Sequence, residues 1–496
     1  MAKKQGAFHV AQGQRQLFLD EHGVAQLENM TRTMHTPEKK GAVVAPDLPW
    51  EMGLQTRSAP AWDPDEKLFK LWMPANVKPA YARFEDGSDA TTYAESPDGI
   101  HWTKPVLRQY EIKGSKENNF VVVPGVDWSS SVISNVVYDP DDPDRSRRYK
   151  GLANWISREP IVSPDGIHWK RLDVSPMPSE DESSLSYDRE TRTFIATVKQ
   201  TTEHGRSDYL YRIHPKSTGR TVLLSTSKDF EYWTEPEIIF HADQLDLELG
   251  RENIKARLAD ATLQQPFWNT PEAYNVDVYH MGVFRYEGLY IGMPAMFHVV
   301  GCAPKHPSTV GFHLVQLACS RDLRTWQRLG DRKPFIGPSP IGIGAYDLTQ
   351  ILGPASAVVH GDELWFYYTG IKYRGDFEYE GGGLDPERGA VCLAVLRRDG
   401  FISLDAGTKE GVLLTEPFML DGGRLHVNVD APDGDLRVEI LDKETAVLAA
   451  SLPLKGDHPG GEIKWRQGGL AHLQGKVVRL RFTLRKGRFY SYWVMP

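Results

Sequence analysis

From about residue 41 to 411, short apolar and aromatic runs alternate with turns rich in Gly, Pro, Asn and Asp, the pattern of short β-strands. One turn is a repeat. Ser96-Pro97-Asp98-Gly99-Ile100-His101-Trp102 returns as Ser163-Pro164-Asp165-Gly166-Ile167-His168-Trp169. Looser copies are Ser227-Lys228-Asp229-Phe230-Glu231-Tyr232-Trp233 and Ser320-Arg321-Asp322-Leu323-Arg324-Thr325-Trp326, with a worn fifth at Arg398-Asp399-Gly400-Phe401. Between these copies lies a second repeat, an acidic turn between apolar strands, as at Trp62-Asp63-Pro64-Asp65, Tyr138-Asp139-Pro140, Tyr187-Asp188, Tyr286-Glu287-Gly288 and Gly361-Asp362. Two hairpins per unit predict four strands, and five units predict an all-β chain folded as a five-bladed β-propeller. One helix is expected over Asp243–Ala261. After Gly407 a period of two (Leu425, Val427, Val429; Leu436, Val438, Ile440; Val478, Leu480, Phe482, Leu484), with a turn at Pro432–Asp435, predicts a C-terminal β-sandwich. The expected division is a strap over 1–40, the propeller over 41–411 and the sandwich over 412–496.

Composition agrees with many short strands: 44 Gly, 33 Pro, 13 Trp, 20 Tyr and 19 Phe in 496 residues. The net charge of -8, with no Lys/Arg-rich face, points away from nucleic acid, and no apolar run is long enough for a membrane helix. No apolar stretch follows Lys3-Lys4, so a cytoplasmic location is expected, with export after removal of a leader as the alternative. Cys302, Cys319 and Cys392 lack disulfide or metal spacing and read as free thiols. The run 139–144 is acidic but lacks the calcium-loop pattern. No Gly-rich phosphate loop, His-Glu-x-x-His or Gly-x-Ser-x-Gly occurs, so neither a cofactor nor a metal is expected. Oligomeric state is left open.

The Ser-x-Asp-Gly-x-x-Trp turns, running through Arg397–Gly407 into the C-terminal strands, resemble the glycoside hydrolase family 32/43/68 group. Pro49-Trp50-Glu51, Asn118-Asn119, Phe284–Tyr290 and Gly361–Trp365 are similar to bacterial proteins with a family 32-like N-terminal domain. The resemblance implies a propeller hydrolase acting on a small sugar or oligosaccharide with three carboxylates on neighbouring blades. The fructosidase signatures Trp-x-Asn-Asp-Pro-Asn-Gly, Arg-Asp-Pro and Glu-Cys are absent, so no catalytic residue is carried over by motif.

Propeller geometry supplies the candidates instead, because the first strand of each blade lines the channel. Those segments are Gln55–Ser58, Ser130–Asn135, Glu180–Ser183, Glu272–His280 and Tyr346–Thr349. Glycosyl transfer needs one protonated and one ionised carboxyl. Asp181 is expected as nucleophile or base, Glu272 or Asp277 as acid, and Asp347 as stabiliser or sugar ligand, with Glu51 and Glu182 in reserve. Arg57, Asn135, Tyr279 and His280 are expected to bind substrate, and Trp50, Trp72 and Trp155 offer stacking faces. Asp98, Asp165, Asp229 and Asp322 are expected to be turn formers. The rivals to a hydrolase are a lyase or transglycosylase, with His280 or a Tyr as base, and a sugar-binding propeller without catalysis.

Overall fold

A computed structural model describes residues 8–81, 89–125, 132–201, 219–304, 309–376, 379–466 and 468–496. Ser130, Ser131 and most of the Gln200–Thr221 loop lie outside the described residues. The chain is all-β, and the one long helix among the described residues, Gln244–Ala259, starts at a capping box between Asp243 and Asp246.

The repeated turns are built by their own side chains. Asp98 Oδ1 accepts from the N–H groups of Ile100 (2.9 Å) and His101 (2.8 Å), and Ser96 Oγ accepts from Gly99 N–H (2.8 Å). Asp165, Asp229 and Asp322 repeat the two aspartate bonds at 2.7–2.9 Å. These aspartates are occupied by backbone and are turn formers, as their spacing suggests. The residue after each Asp has positive φ: Gly99 76°, Gly166 80°, Phe230 68° and Leu323 65°. Glycine stands where a neighbouring sheet covers the turn, since a Cβ on Gly99 would lie 2.6 Å from Tyr367 Oη and one on Gly166 2.4 Å from Trp72 Cζ2. At Phe230 and Leu323 the turn residue's own side chain enters the core instead.

Four-stranded antiparallel units follow in chain order. The second is Ile133–Tyr138, Tyr149–Ala153, Glu159–Ser163 and Lys170–Arg171, and the third is Ser183–Asp188, Thr193–Thr201, Arg220–Ser227 and Glu237–Phe240. The fourth sheet starts with Asn275–Tyr286 and Leu289–Cys302, its third position shared by Thr309–Val315 and Ala318–Ser320. A ten-stranded sheet holds the first and fifth units, joined by a parallel bridge between Gly53 and Gly389, and Glu38–Val44 supplies the outer strand of the fifth.

Polar side chains stitch each unit to the next. Asn135 Nδ2 donates to Arg57 O (3.0 Å) and Ser183 O (3.1 Å), and Ser186 Oγ to Val283 O (2.6 Å). The backbone N–H of His313 also donates to Thr349 O (2.9 Å), and Thr369 Oγ1 donates to Thr56 O (2.9 Å). Separate apolar clusters fill the interfaces: Trp72 with Trp169, Leu152 with Phe194, Val222 with Val278, Ile291 with Phe366, and Leu71 with Tyr367. Each large side chain buried there contributes roughly 1.5–3 kcal/mol.

The C-terminal strands join an eleven-stranded sheet whose alternating Leu425, Val427, Val429, Leu480 and Phe482 are fully buried. The turn expected at Pro432–Asp435 is instead an irregularity inside one strand, Arg424–Leu441. There the strand passes its pairing from Gly487–Met495 to Val477–Arg485, so its Gly and Pro mark a bend. Gln16–Leu17, Val24–Glu28 and Thr31–Met34 also pair into this sheet.

Candidate functional site

Asp181 precedes the first strand of the third unit with φ 52°. Asp tolerates this left-handed conformation better than bulkier residues. The guanidinium of Arg158, itself buried, donates to the carbonyls of Asp181 and of Asn154, another left-handed residue (φ 73°), and so holds both. The Asp181 side chain is 52% exposed and pairs with Lys199 from the adjacent strand. Burial of the group would raise its pKa, but the Lys199 ammonium and the charges of Arg57 and Arg220 hold it well below the usual carboxylate range.

The next residue, Glu182, accepts from Arg57 Nε and Nη2, both at 2.7 Å. Arg57 also donates to Gln55 Oε1 (2.8 Å) and lies 5.1 Å from the Trp155 ring. Asp277 is buried on the first strand of the fourth unit, with Oδ2 2.8 Å from Arg220 Nη1 and Oδ1 without a hydrogen bond. Two residues on, a bulge between Val278 and His280 sets Tyr279 against His313, ring centroids 4.6 Å apart. Lys199 Nζ lies 4.2 Å from the Tyr279 ring, and the guanidinium carbons of Arg220 and Arg374 each lie 5.4 Å from it. Burial and the Asp181 charge raise the Tyr279 pKa. His280 is buried, neither ring nitrogen makes a well-formed hydrogen bond, and burial lowers its pKa to about 4.

Asp181, Glu182, Asp277, Arg57, Tyr279 and His280 therefore form one electrostatic cluster. Asn135 lies next to it as a brace, with both amide atoms engaged. Among the described residues, the remaining candidates share no hydrogen bond or ion pair with this cluster. Asp347 is held by Lys39 Nζ (2.7 Å) and Tyr368 Oη (2.9 Å). Glu51 accepts from Lys104 Nζ (2.6 Å) and Asp47 N–H (3.0 Å), and burial raises its pKa. Glu272 is exposed on the short 3-10 helix Pro271–Ala273.

The sequence reading did not single out Lys199, Arg220, Arg374, Arg158 or His313. Lys199 and Arg220 carry a weak signal, as charged residues at one end of otherwise apolar strands. A cavity of about 320 Å³ beside Asp181 is lined by Ser157, Ser179, Glu180, Lys199 and Gln200. At the other end of the same first strands, a cavity of about 490 Å³ is lined by Trp62, Val136, Tyr138, Leu185, Tyr187 and Val358 and contains no carboxylate. Among the described residues no group of three or more His, Cys, Asp or Glu is arranged to hold a metal ion, and no helix is long and apolar enough to cross a membrane.

No family model and no curated protein matches the chain. Solved structures similar to it include an N-acetylgalactosamine deacetylase from F. plautii (14% identity, TM-score 0.40), covering 79% of this chain and 96% of that one. A glycoside hydrolase family 32 β-fructofuranosidase from Bombyx mori aligns at 9% identity and TM-score 0.39, over 92% of this chain and 94% of its own. A family 43 arabinoxylan arabinofuranohydrolase from Bacillus subtilis aligns at 10% identity and TM-score 0.37, over 92% and 99%.

Proposed function

We propose that the chain is a glycoside hydrolase acting on a small sugar or oligosaccharide, with the five units as blades of a propeller over 41–411 and a sandwich over 412–496. The observation that carries this reading is Arg220, which bonds Asp277 and whose pKa is raised by the charges of both Asp277 and Asp181. It bonds the buried carboxylate of Asp277 and lies within the field of the accessible one, Asp181. Asp181, half-exposed and held ionised, serves as nucleophile or base. The acid is either Asp277, which has one oxygen unbonded and must give up its ion pair with Arg220 to carry a proton, or the solvent-exposed Glu272. The acid passes a proton to the leaving oxygen as the glycosidic bond breaks, and the hydroxyl of water ends on the anomeric carbon. Asp347, tied to Lys39 and Tyr368, steadies the fifth unit at the rim.

The test is a screen of aryl-glycosides and natural oligosaccharides with the wild type, Asp181→Asn and Asp277→Asn. Turnover that neither change diminishes overturns the assignment. A second reading, β-elimination, draws on the contact between Tyr279 and His313 with three cations around it. In that reaction a base takes a ring proton, the adjacent C–O bond breaks, and the product carries a new C=C bond. Ultraviolet absorption by the product separates the two chemistries.

A further inference from the structure

Charge at this mouth is unbalanced. Five cations, Arg57, Arg158, Lys199, Arg220 and Arg374, gather with three carboxylates, Asp181, Glu182 and Asp277, while Glu180 and Glu235 stand exposed on the lining of the adjoining cavity. Three of the cations have a carboxylate each. Among the described residues the buried Arg158 bonds only to Ser134 Oγ and to backbone carbonyls, and its Nε has no partner there. Arg374 forms no ion pair among the described residues, and its buried Nε has no partner. Asp376, two residues on, is taken by Arg388 at 2.5 Å. Arg374 and Arg220 lean over the same two rings, at 5.4 Å each from Tyr279 and at 5.4 and 5.3 Å from Phe297. His313, against Tyr279, is fully buried with Nε2 unbonded. Gathering like charges where water is scarce is costly unless an anion completes the site.

We infer that this mouth binds an oxyanion, either a carboxylate on the sugar or a phosphate, with Arg374 as its principal uncommitted partner and Lys199 and Arg220 beside it. The inference deepens the proposed function and rests on the reading that this mouth is the substrate site. Two N–H groups of Arg374 face two anion oxygens in the bidentate geometry that guanidinium favours.

Calorimetric titration at low ionic strength with inorganic phosphate, glucuronate and glucose tests it. Glucuronate or phosphate is expected to bind, glucose at least tenfold more weakly, and Arg374→Gln to weaken anion binding tenfold or more. Arg374→Lys keeps the charge but loses the bidentate fork, so it is expected to bind the anion more weakly than the wild type and more tightly than Arg374→Gln, while the exposed control Arg108→Gln changes nothing. Binding of phosphate alone identifies a phosphate site, and binding of glucuronate alone a sugar carboxylate. The inference falls if no anion binds, if anion binding survives Arg374→Gln, or if glucose binds as tightly as the anion that binds best. If neutral glycosides are hydrolysed with dependence on Asp181 and no anion binds, the hydrolase reading stands and the anion site does not. If anions bind through Arg374 but Asp181→Asn leaves turnover intact, the reverse holds.

Discussion

Arg57 and Glu182 lock together through two parallel hydrogen bonds of 2.7 Å, Nε to Oε2 and Nη2 to Oε1, with both side chains only 3% exposed. The pair joins the segment between Glu51–Leu54 and Ala61–Asp63 to the residue just before Ser183–Asp188. The bond from Asn135 to the carbonyl of Arg57 brings in the second unit.

Removing one partner strands the other charge. Glu182→Leu is expected to lower stability by roughly 3–5 kcal/mol, whereas Arg57→Met with Glu182→Leu recovers much of that loss. A double-mutant cycle in urea checks this, and additive single effects would refute the coupling.

Asp181→Asn separates chemistry from folding. Asn accepts the left-handed backbone, and the Asp181 side of the lost Lys199 contact is half-exposed while Lys199 itself is buried, so the unfolding free energy should fall by about 1–3 kcal/mol. If the carboxylate is the base or nucleophile, kcat falls by about 10²–10⁴. Comparing melting curves with turnover decides the matter, and a large stability loss would speak for a structural role.

Acid sensitivity should begin near pH 6.5. Burial lowers His280 and His298 to about 4 and drives His313 in the same direction. Between their folded and unfolded values the unfolded chain takes up protons that the native state refuses. Stability is therefore complete above about pH 6.5 and falls as pH drops towards 4, by roughly 3 kcal/mol for each of His280 and His298. Carboxylates with depressed values, such as Asp181, lose their contribution only below the ordinary value near 3.8. Melting temperature measured between pH 7 and 4.5 should fall steadily and less steeply in His280→Gln, and a flat profile would contradict the assignment.

Gly166→Ala is expected to cost at least about 1–3 kcal/mol. Its φ of 80° disfavours a Cβ, and that atom would meet Trp72 at 2.4 Å. Leu323, with φ 65° at the equivalent turn position, has no such neighbour and fills the space with its own side chain. Leu323→Gly should thus destabilise as well, through lost packing. Chemical denaturation of the two variants checks this, and a neutral effect of Gly166→Ala would remove the steric explanation.

Asp399 is fully buried and accepts from Arg15 Nη1 (2.6 Å), Tyr286 Oη (2.6 Å), Ser491 Oγ (2.5 Å) and Asn428 Nδ2 (3.3 Å). It connects the N-terminal segment, the fourth unit and the C-terminal sheet. Asp399→Ala should cost roughly 3–5 kcal/mol, because the Arg15 charge loses its partner. Asp399→Asn keeps the shape and loses less. Equal losses for the two would show that charge is irrelevant there.

The turns could be read from the chain because the groups that build them lie within three residues of one another. Asp98 needs only its own N–H neighbours, and the same spacing brings the same bonds at Asp165, Asp229 and Asp322. Period-two burial at Leu425, Val427 and Val429 was equally legible, since strand geometry alone puts alternate side chains on one face. The candidate site was only half legible. Its carboxylates stood out at strand starts, but the cations that set their charge state did not. Lys199 reaches Asp181, Arg220 reaches Asp277 and Arg57 reaches Glu182 across 18, 57 and 125 residues. Which charge meets which depends on the strands that sheet pairing and unit-to-unit packing bring side by side. Local spacing therefore determined the turns, the strands and the acids at their mouths. Tertiary structure alone decided which acids are ion-paired, which left Asp347 with Lys39 and gathered Tyr279, His313 and Arg374 around one point.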